Sequence, residues 1–291
     1  MDVIELDKKA KDKKYKNSGT LTCSNAFIEP RPSFADFVMG GCEVSLVVGI
    51  DFTGSNGAVT DPSSLHYIHP TGAVPNQYQQ AINAVGRVLE DYDSDKMYPV
   101  YGFGAKVRMP NGSFSPVQHC FPVYGGGLEV KGVDGILKAY MDCVSNVALS
   151  GPTLFTPLID ASAEFARRNN CTQAQQKYTV LLIMTDGEIT DMENTIGAIV
   201  RASSAPMSII IIGVGSADFS SMRQLDGDNG ALRSGGMVAE RDIVQFVSFR
   251  DFAAKGTAML ASEVLAEVPR QCLEYMSKRK IVPNAPKGGL S

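Results

Sequence analysis

The sequence predicts an α/β domain built on a doubly wound, Rossmann-like, mostly parallel sheet flanked by helices. From Glu43 onward, apolar β-rich runs alternate with amphipathic stretches of helical periodicity, a pattern typical of a parallel sheet covered on both faces. Two of the apolar runs, SLVVGI and YTVLLIMT, end directly before an aspartate. The length of 291 residues accommodates one large domain of this class together with tails.

The first half of the pattern begins with a strand at Ser45–Ile50, whose continuous apolar run is expected of a strand buried on both faces. A helix is predicted over 76–92 because apolar residues recur there at helical spacing. Its apolar face consists of Tyr78, Ile82, Val85 and Leu89. A strand over 97–104 ends at glycines, and the Gly-, Pro- and Ser-rich segment 105–127 is predicted as loop with short strands.

The second half repeats the alternation of helices and strands. A helix over 133–147 precedes the interruption GPTLFTP, and Pro157 suits the first turn of the helix that follows. The strand that begins at Tyr178 is the least ambiguous in the chain, and it ends before Asp186. The other predicted elements are helices over 158–170 and 192–204, strands over 207–215 and 243–249, and a single closing helix over 258–276.

The chain divides by composition into three predicted segments. Residues 1–41 form an extension without sustained periodicity, which carries a lysine-rich run from Lys8 to Lys16. That run is either a solvated charged segment or a patch for a membrane or partner. Residues 42–278 form the α/β domain, and 279–291, which ends in NAPKGGLS, is predicted to be a disordered tail.

Charge and cysteine usage restrict the class of protein. A formal net charge of -4 and a pI of about 5.5 provide no basic surface for nucleic acid. The 6 cysteines are scattered without a CxxC pair, which favours reduced thiols in the cytoplasm. The N-terminus lacks the apolar run of a signal peptide, and no stretch approaches the roughly 18 apolar residues of a membrane span. We therefore expect a cytoplasmic protein with at most peripheral membrane contact.

A candidate metal site follows from the two aspartates that end apolar strands. Asp51 and Asp186 should lie at the same edge of the sheet, where ligands bind in open parallel sheets. Thr53 and Ser55 follow Asp51 at alternate positions, and Thr153 in the loop GPTLF adds a third hydroxyl. Carboxylate and hydroxyl oxygens suit Mg²⁺ or Mn²⁺, with Ca²⁺ as a further candidate, and do not suit zinc. A capped turn at residues 51–55 is the alternative interpretation.

The same residues carry a family resemblance. The DxTxS run, the GPT threonine and the TDG aspartate resemble the metal-ion-dependent adhesion site of von Willebrand factor A-type domains. The surrounding segments are similar to the A domain of copines, and the likeness covers residues 37–275. These segments are IDFTGSNG, SLHYIHPTG, YDSDKMYPVYGFGAKV, SGPTLFTPLI, LLIMTDGEITD, RASSAPMSIIIIGVG, RDIVQFVSF and VLAEVPRQ.

The resemblance implies a divalent-metal-dependent protein-interaction module. It implies direct or water-mediated coordination by Asp51, Thr53, Ser55, Thr153 and Asp186, with Thr53 standing where many extracellular A domains carry serine. The open coordination position would accept an acidic side chain of an intracellular protein partner.

In the copine family this module is coupled to calcium-dependent phospholipid binding, membrane recruitment and signalling. Two calcium- and lipid-binding β-sandwich domains precede the A domain there, and the segment KKYKNSGTL resembles the closing strand of the second. We therefore expect residues 1–41 to include a remnant of that upstream domain. Peripheral association with the plasma membrane is expected only through domains absent or truncated in this chain.

A magnesium-dependent phosphotransferase or phosphatase is the alternative function, because an aspartate at the end of the first strand also suits aspartyl-phosphate chemistry. Such DxDxT enzymes need a second aspartate where this chain has Thr53, which cannot act as acid or base at neutral pH. No GxxxxGK[ST] phosphate loop occurs. His66 and His69 lack a third ligand and are predicted to be loop or surface residues. The sequence thus predicts a binding protein and not an enzyme.

Overall fold

The computed structural model describes residues 1–25, 31–187, 189–227, 230–253 and 257–286. The chain divides into two compact units, Met1–Arg31 and Pro32–Ser291. In the smaller unit, β1 (Asp2–Val3) pairs antiparallel with β2 (Gly19–Thr20), and α1 (Leu6–Lys11) lies between them in sequence. None of residues 1–25 is buried.

The larger unit alternates strands and helices along the chain. Its first half contains α2 (Phe34–Met39), β3 (Glu43–Asp51), α3 (Gln77–Glu90), β4 (Met97–Phe103), β5 (Ala105–Arg108), β6 (Phe114–Gln118), β7 (Phe121–Pro122), β8 (Glu129–Lys131), α4 (Gly132–Val144) and β9 (Val147–Leu149). Its second half contains α5 (Thr156–Arg168), β10 (Lys177–Thr185), α6 (Met192–Ala202), β11 (Met207–Gly213), β12 (Arg233–Ser234), β13 (Met237–Val238), β14 (Val244–Ser248), α7 (Phe249–Ala253), α8 (Thr257–Val264) and α9 (Val268–Lys278). Within the described ranges, no helix is long and apolar enough to cross a membrane.

A central sheet with the strand order β14-β11-β10-β3-β4-β7 organises this unit. The neighbouring strands from β14 to β4 all run parallel, and β7 and β8 pair antiparallel with β4. The strand order reverses direction beside β3, as a doubly wound sheet requires. The predicted fold class is confirmed.

Both faces of the sheet are buried, which explains the continuous apolar runs of its central strands. On β3, Val48 and Ile50 contact the cluster formed with α3, α4, α8 and α9, whereas Val47 contacts the cluster formed with α5 and α6. A side chain at Gly49 would clash with Leu158 of α5. The missing side chain therefore lets α5 pack closely against the strand that ends at Asp51.

The observed elements differ from the predicted ones most clearly at the C-terminus, where the single predicted closing helix is wrong. The segment contains two helices, α8 and α9, separated by residues 265–267. Pro269 lies in the first turn of α9. Proline has no amide hydrogen to donate, and within a helix it is tolerated only in the first turn. Pro157 occupies the first turn of α5 as predicted.

The limits of the larger unit also differ from the predicted limits of 42 and 278. The unit begins at Pro32, and Phe37 of α2 is buried in the core. Beyond residue 278, Ile281 is buried, and the amide of Gln176 donates to the carbonyl of Val282 at 2.7 Å. Apolar burial therefore extends past both predicted limits. Residues 287–291 of the predicted disordered tail lie outside the described residues.

Deleting residues 1–31 should leave a domain with a cooperative thermal transition, because the described residues 1–25 contribute no buried side chain. We expect the melting temperature to change by only a few degrees. Deleting residues 1–41 removes Phe37 from the core and should cost about 3 kcal/mol or more. Thermal unfolding followed by circular dichroism compares the two truncations. Loss of the transition in the shorter deletion would contradict this expectation.

Candidate metal centre

The candidate site lies where β3 and β10 end at the carboxyl edge of the sheet. Asp51 is the last residue of β3, and Asp186 directly follows β10. The register pairs Ile50 with Met184, so the residue after each, Asp51 and Thr185, reaches the same level of the edge. The parallel pairing of these two strands therefore brings their terminal polar residues together.

The Asp51 carboxylate is completely buried and accepts two hydrogen bonds. Its Oδ1 accepts from the backbone N–H of Thr53 at 2.8 Å, and its Oδ2 accepts from the Thr185 hydroxyl at 2.6 Å. The first bond closes a local turn directly after the strand. The second links β3 to β10, so that both carboxylate oxygens have fixed directions.

Thr53, Ser55 and Asp186 bring their side-chain oxygens together. The Ser55 hydroxyl donates to Asp186 Oδ1 at 2.9 Å, and the Thr53 hydroxyl lies 3.5 Å from the same oxygen. The two hydroxyl oxygens are 3.0 Å apart. A 3₁₀ turn at Gly54–Asn56 produces this arrangement by turning the chain immediately after Thr53. The side-chain oxygens of three of the five predicted residues, Thr53, Ser55 and Asp186, therefore lie close together. Asp51 is connected to them by the hydrogen bond that it accepts from the Thr53 backbone.

Thr153 lies in a neighbouring loop that main-chain bonds attach to the same edge. Its carbonyl accepts from the backbone N–H of Thr190 at 2.9 Å, and the residue as a whole is 8% exposed. The Gly54 N–H donates to the carbonyl of Ser150 at 2.6 Å in the same loop. These bonds connect the loop of Thr153 to the segments that carry Ser55 and Asp186, and so place Thr153 at the predicted edge.

Burial dominates the electrostatics of the two carboxylates. Burial and, secondly, the negative charge of Asp186 raise the pKa of Asp51 from its ordinary value of 3.8 to about 7, against the opposing hydrogen bonds from Thr185 and Thr53. Burial also raises the pKa of Asp186. Two buried carboxyls whose ionisation is disfavoured in this way are stabilised as anions by a nearby cation.

The donor set fits a hard divalent cation. It consists of carboxylate and hydroxyl oxygens, the ligands that Mg²⁺, Mn²⁺ and Ca²⁺ prefer. Lysine, arginine and histidine are absent from the segments DFTGSNG, SGPTLF and TDGEIT that form this edge. No positively charged side chain from these segments can therefore neutralise Asp51 and Asp186, and an ion can do so.

In the absence of metal, the raised pKa of Asp51 predicts a pH-dependent stability. The unfolded carboxyl ionises near 3.8, whereas the folded protein retains its proton up to about pH 7. Raising the pH through this window removes a proton that the folded state alone holds, so stability falls. In chelator at pH 8, the free energy of unfolding of Asp51→Asn should exceed that of the wild type by on the order of 1–2 kcal/mol. At pH 5, most of this difference between the two proteins should disappear.

Urea unfolding at both pH values measures this difference, and comparison of the two proteins at each pH cancels the titration of the groups that do not interact with Asp51. A difference between Asp51→Asn and the wild type that does not change with pH would contradict the assignment of the raised pKa to Asp51.

Sequence reasoning missed three residues that support the site. Thr185 donates to Asp51 and could have been identified, since it directly precedes Asp186 in a strand-terminal TDG. Asn56 is buried, and its side-chain amide donates to the carbonyl of Thr53 at 3.2 Å. His66 was predicted to be a loop or surface residue, but it is completely buried in its loop. The sequence around His66 offers no periodic signal of its burial.

A second group of carboxylates lies elsewhere in the larger unit and consists of Asp226, Asp242 and Glu267. Arg270 forms ion pairs with Asp242 at 2.9 Å and with Glu267 at 2.6 Å. The guanidinium therefore already supplies positive charge to this group, which distinguishes it from the edge at Asp51.

The parallel sheet of this strand order, with two aspartates and two hydroxyls at its carboxyl edge, defines a von Willebrand factor A-type domain. A family model described as Copine matches residues 64–284. Copine-A from Dictyostelium discoideum is 49% identical over 284 residues, which cover 97% of this chain and 46% of that relative. The chain therefore belongs to the copine family, as the resemblance in its sequence predicted. It spans about half the length of the curated relative it matches.

Solved structures of other proteins are similar to parts of the fold. The crystal structure of manganese-loaded TRAP protein from Plasmodium vivax has a TM-score of 0.45 and 14% sequence identity, and the match covers 74% of this chain and 72% of that one. Proximal thread matrix protein 1 from the mussel byssus, with a zinc occupied MIDAS motif, has a TM-score of 0.40 and 16% identity, with coverage of 77% and 47%.

Proposed function

We propose that this chain is a divalent-metal-dependent protein-interaction module. The observation that carries the proposal is the convergence of Ser55, Thr53 and Asp186 oxygens within 3.5 Å, beside the buried Asp51. In the proposed site, Asp51, Thr53, Ser55, Thr153 and Asp186 hold the ion, directly or through water. Mg²⁺ or Mn²⁺ is the proposed metal, and Ca²⁺ is the alternative.

The chemistry of the proposed ligands favours binding to a partner protein. When bound, the ion supplies a positive charge with an open coordination position. Short hydroxyl side chains contribute no charge, and the two carboxylates at most balance a divalent ion. An acidic side chain of an intracellular protein partner is the ligand that this position would attract most strongly.

Catalysis of phosphoryl transfer is the less favoured alternative. Such a reaction requires an acid or base and cationic groups around the transferred phosphoryl group. Thr53 occupies the position of the acid or base in DxDxT enzymes, and the three edge segments contain no lysine, arginine or histidine. The residues of this edge are thus suited to hold an ion and a carboxylate.

The wider role of the protein is proposed from its family. We propose that the module acts in the cytoplasm, and that phospholipid binding, recruitment to the membrane and signalling require domains outside the part of the relative that this chain matches. The match to 46% of Copine-A is consistent with this division of roles.

A pull-down from cytosolic extract tests the proposal. Immobilised wild-type protein should retain a partner in the presence of Mg²⁺ or Mn²⁺ and release it in EDTA, and Asp51→Ala should retain none. Asp142→Ala is the matched control, since Asp142 is an exposed aspartate on α4 that pairs with Lys138. An acidic peptide from the identified partner should compete. Retention by Asp51→Ala equal to that of the wild type would refute the proposed function.

Hydrolysis assays separate binding from catalysis. We expect the purified protein with Mg²⁺ to hydrolyse neither ATP nor a generic phosphoester above background. Hydrolysis that disappeared in Asp51→Ala would favour the enzymatic alternative.

A further inference from the structure

We propose that His66 is a positioning residue for the metal site, because it holds the backbone at the end of β3, where Asp51 and Thr53 lie. This inference rests on the proposed function and extends it to a residue outside the ligand set. His66 lies in the loop between β3 and α3, 15 residues after Asp51, and its side chain is completely buried.

The hydrogen bonds of the imidazole define its orientation and its tautomer. Nε2 lies 2.7 Å from the carbonyl oxygen of Asp51, and Nδ1 lies 2.9 Å from the hydroxyl of Tyr140 on α4. Because a carbonyl oxygen can only accept, Nε2 carries the hydrogen and Nδ1 of the neutral ring accepts from Tyr140. The Tyr140 oxygen in turn accepts from the side-chain amide of Asn76 at 3.0 Å.

Aromatic rings on both sides hold the imidazole in place. Its ring stacks on Tyr78 with a centroid distance of 4.4 Å and on Phe52 with a centroid distance of 5.1 Å. The Tyr78 hydroxyl donates to Asn56 Oδ1 at 2.7 Å, and the Asn56 amide donates to the carbonyl of Thr53. The packed side chains of His66, Tyr78 and Asn56 therefore hold the backbone carbonyls of two site residues, Asp51 and Thr53.

The hydrogen bond to the Asp51 carbonyl connects His66 to the metal site. A phenylalanine could fill the space between the two rings, but it could not donate to a carbonyl at the end of a strand. The direction of that carbonyl sets the plane of the peptide between Asp51 and Phe52, and hence the start of the turn that carries Thr53 and Ser55. Groups that orient metal ligands typically change metal affinity by roughly 10–100-fold when removed.

Manganese titration of purified variants by calorimetry tests this role, with unfolding in chelator as the second measurement. His66→Phe keeps an aromatic ring and removes both polar atoms, and it should weaken Mn²⁺ binding by about tenfold or more. His66→Gln retains an N–H that can reach the Asp51 carbonyl and should recover part of the loss. Tyr140→Phe removes the hydroxyl that bonds Nδ1 and should weaken binding less than His66→Phe.

Tyr178→Phe is the matched control for a general loss of stability. Tyr178 is completely buried, and its hydroxyl bonds Ser208 and Arg241, near the beginning of β10 and away from the carboxyl edge. This variant should be less stable than the wild type in chelator but should bind Mn²⁺ with unchanged affinity.

The outcomes distinguish this inference from the proposed function. Wild-type Mn²⁺ affinity in His66→Phe, or an equal loss of affinity in Tyr178→Phe, would overturn the positioning role while leaving the metal site intact. If His66→Phe fails to fold, Tyr140→Phe decides, since a weakened affinity supports the role and an unchanged affinity overturns it. Absence of Mn²⁺ binding by the wild type would instead overturn the proposed function, and the inference with it.

Discussion

Millimolar Mg²⁺ or Mn²⁺ is expected to raise the melting temperature of the wild-type protein, and Asp51→Ala or Asp186→Ala is expected to abolish that increase. A ligand that binds only the folded state adds about 2.7 kcal/mol of stability at one hundred times its dissociation constant. For a domain of this size, that corresponds to an increase of roughly 5–10 °C. Differential scanning calorimetry with metal and with EDTA measures the change.

Both alanine variants should still fold in the absence of metal. Burial is the main cause that raises the pKa of Asp51, and the negative charge of Asp186 is the second; either substitution removes the repulsion between the two carboxylates. The cost is the loss of the hydrogen bonds from Thr185 and Thr53 to Asp51, or from Ser55 to Asp186. Asp142→Ala, a change at an exposed aspartate, should keep the full metal effect. A metal-induced increase that persists in both site variants would show that the ion binds elsewhere.

Gly104→Ala is expected to destabilise the domain by about 3 kcal/mol and to weaken metal binding. Gly104 joins β4 to β5 with a backbone φ of +78°, a conformation that costs other residues about 1–2 kcal/mol. The added methyl group would also clash with Cγ2 of Thr53 and contact its backbone nitrogen at 3.4 Å. Relief of this clash requires Thr53 to move, and its hydroxyl would then leave the cluster around Asp186.

Gly112→Ala separates the backbone cost of a positive φ from the clash with Thr53. Gly112 has a similar φ of +84°, but no atom lies within 4 Å of the position that its methyl group would occupy. This variant should therefore lose only the backbone cost of about 1–2 kcal/mol and bind metal as the wild type does. Chemical denaturation and manganese titration of both variants provide the comparison. Equal effects of the two substitutions on metal affinity would contradict the close packing of Gly104 against Thr53.

The sequence by itself determined the fold class and the candidate edge. Strands buried on both faces require continuous apolar runs, and such runs are visible without any structure. Asp51 and Asp186 were predicted to lie together because each directly follows one of these strands, and parallel strands end at a common edge. Thr53 and Ser55 followed from local spacing, since the turn that brings them to Asp186 spans only residues 54–56.

The tertiary structure alone decided how that edge is supported. His66 bonds Asp51, which lies 15 residues before it in the sequence, and Tyr140, which lies 74 residues after it. The stack of Phe52, His66 and Tyr78 joins a strand end, a loop and a helix. A local pattern of apolar and polar residues does not specify which helix packs over which loop, because that depends on the volumes of many buried side chains at once. For the same reason, the burial of Phe37 and Ile281 outside the predicted limits became visible only once the helices were packed on the sheet.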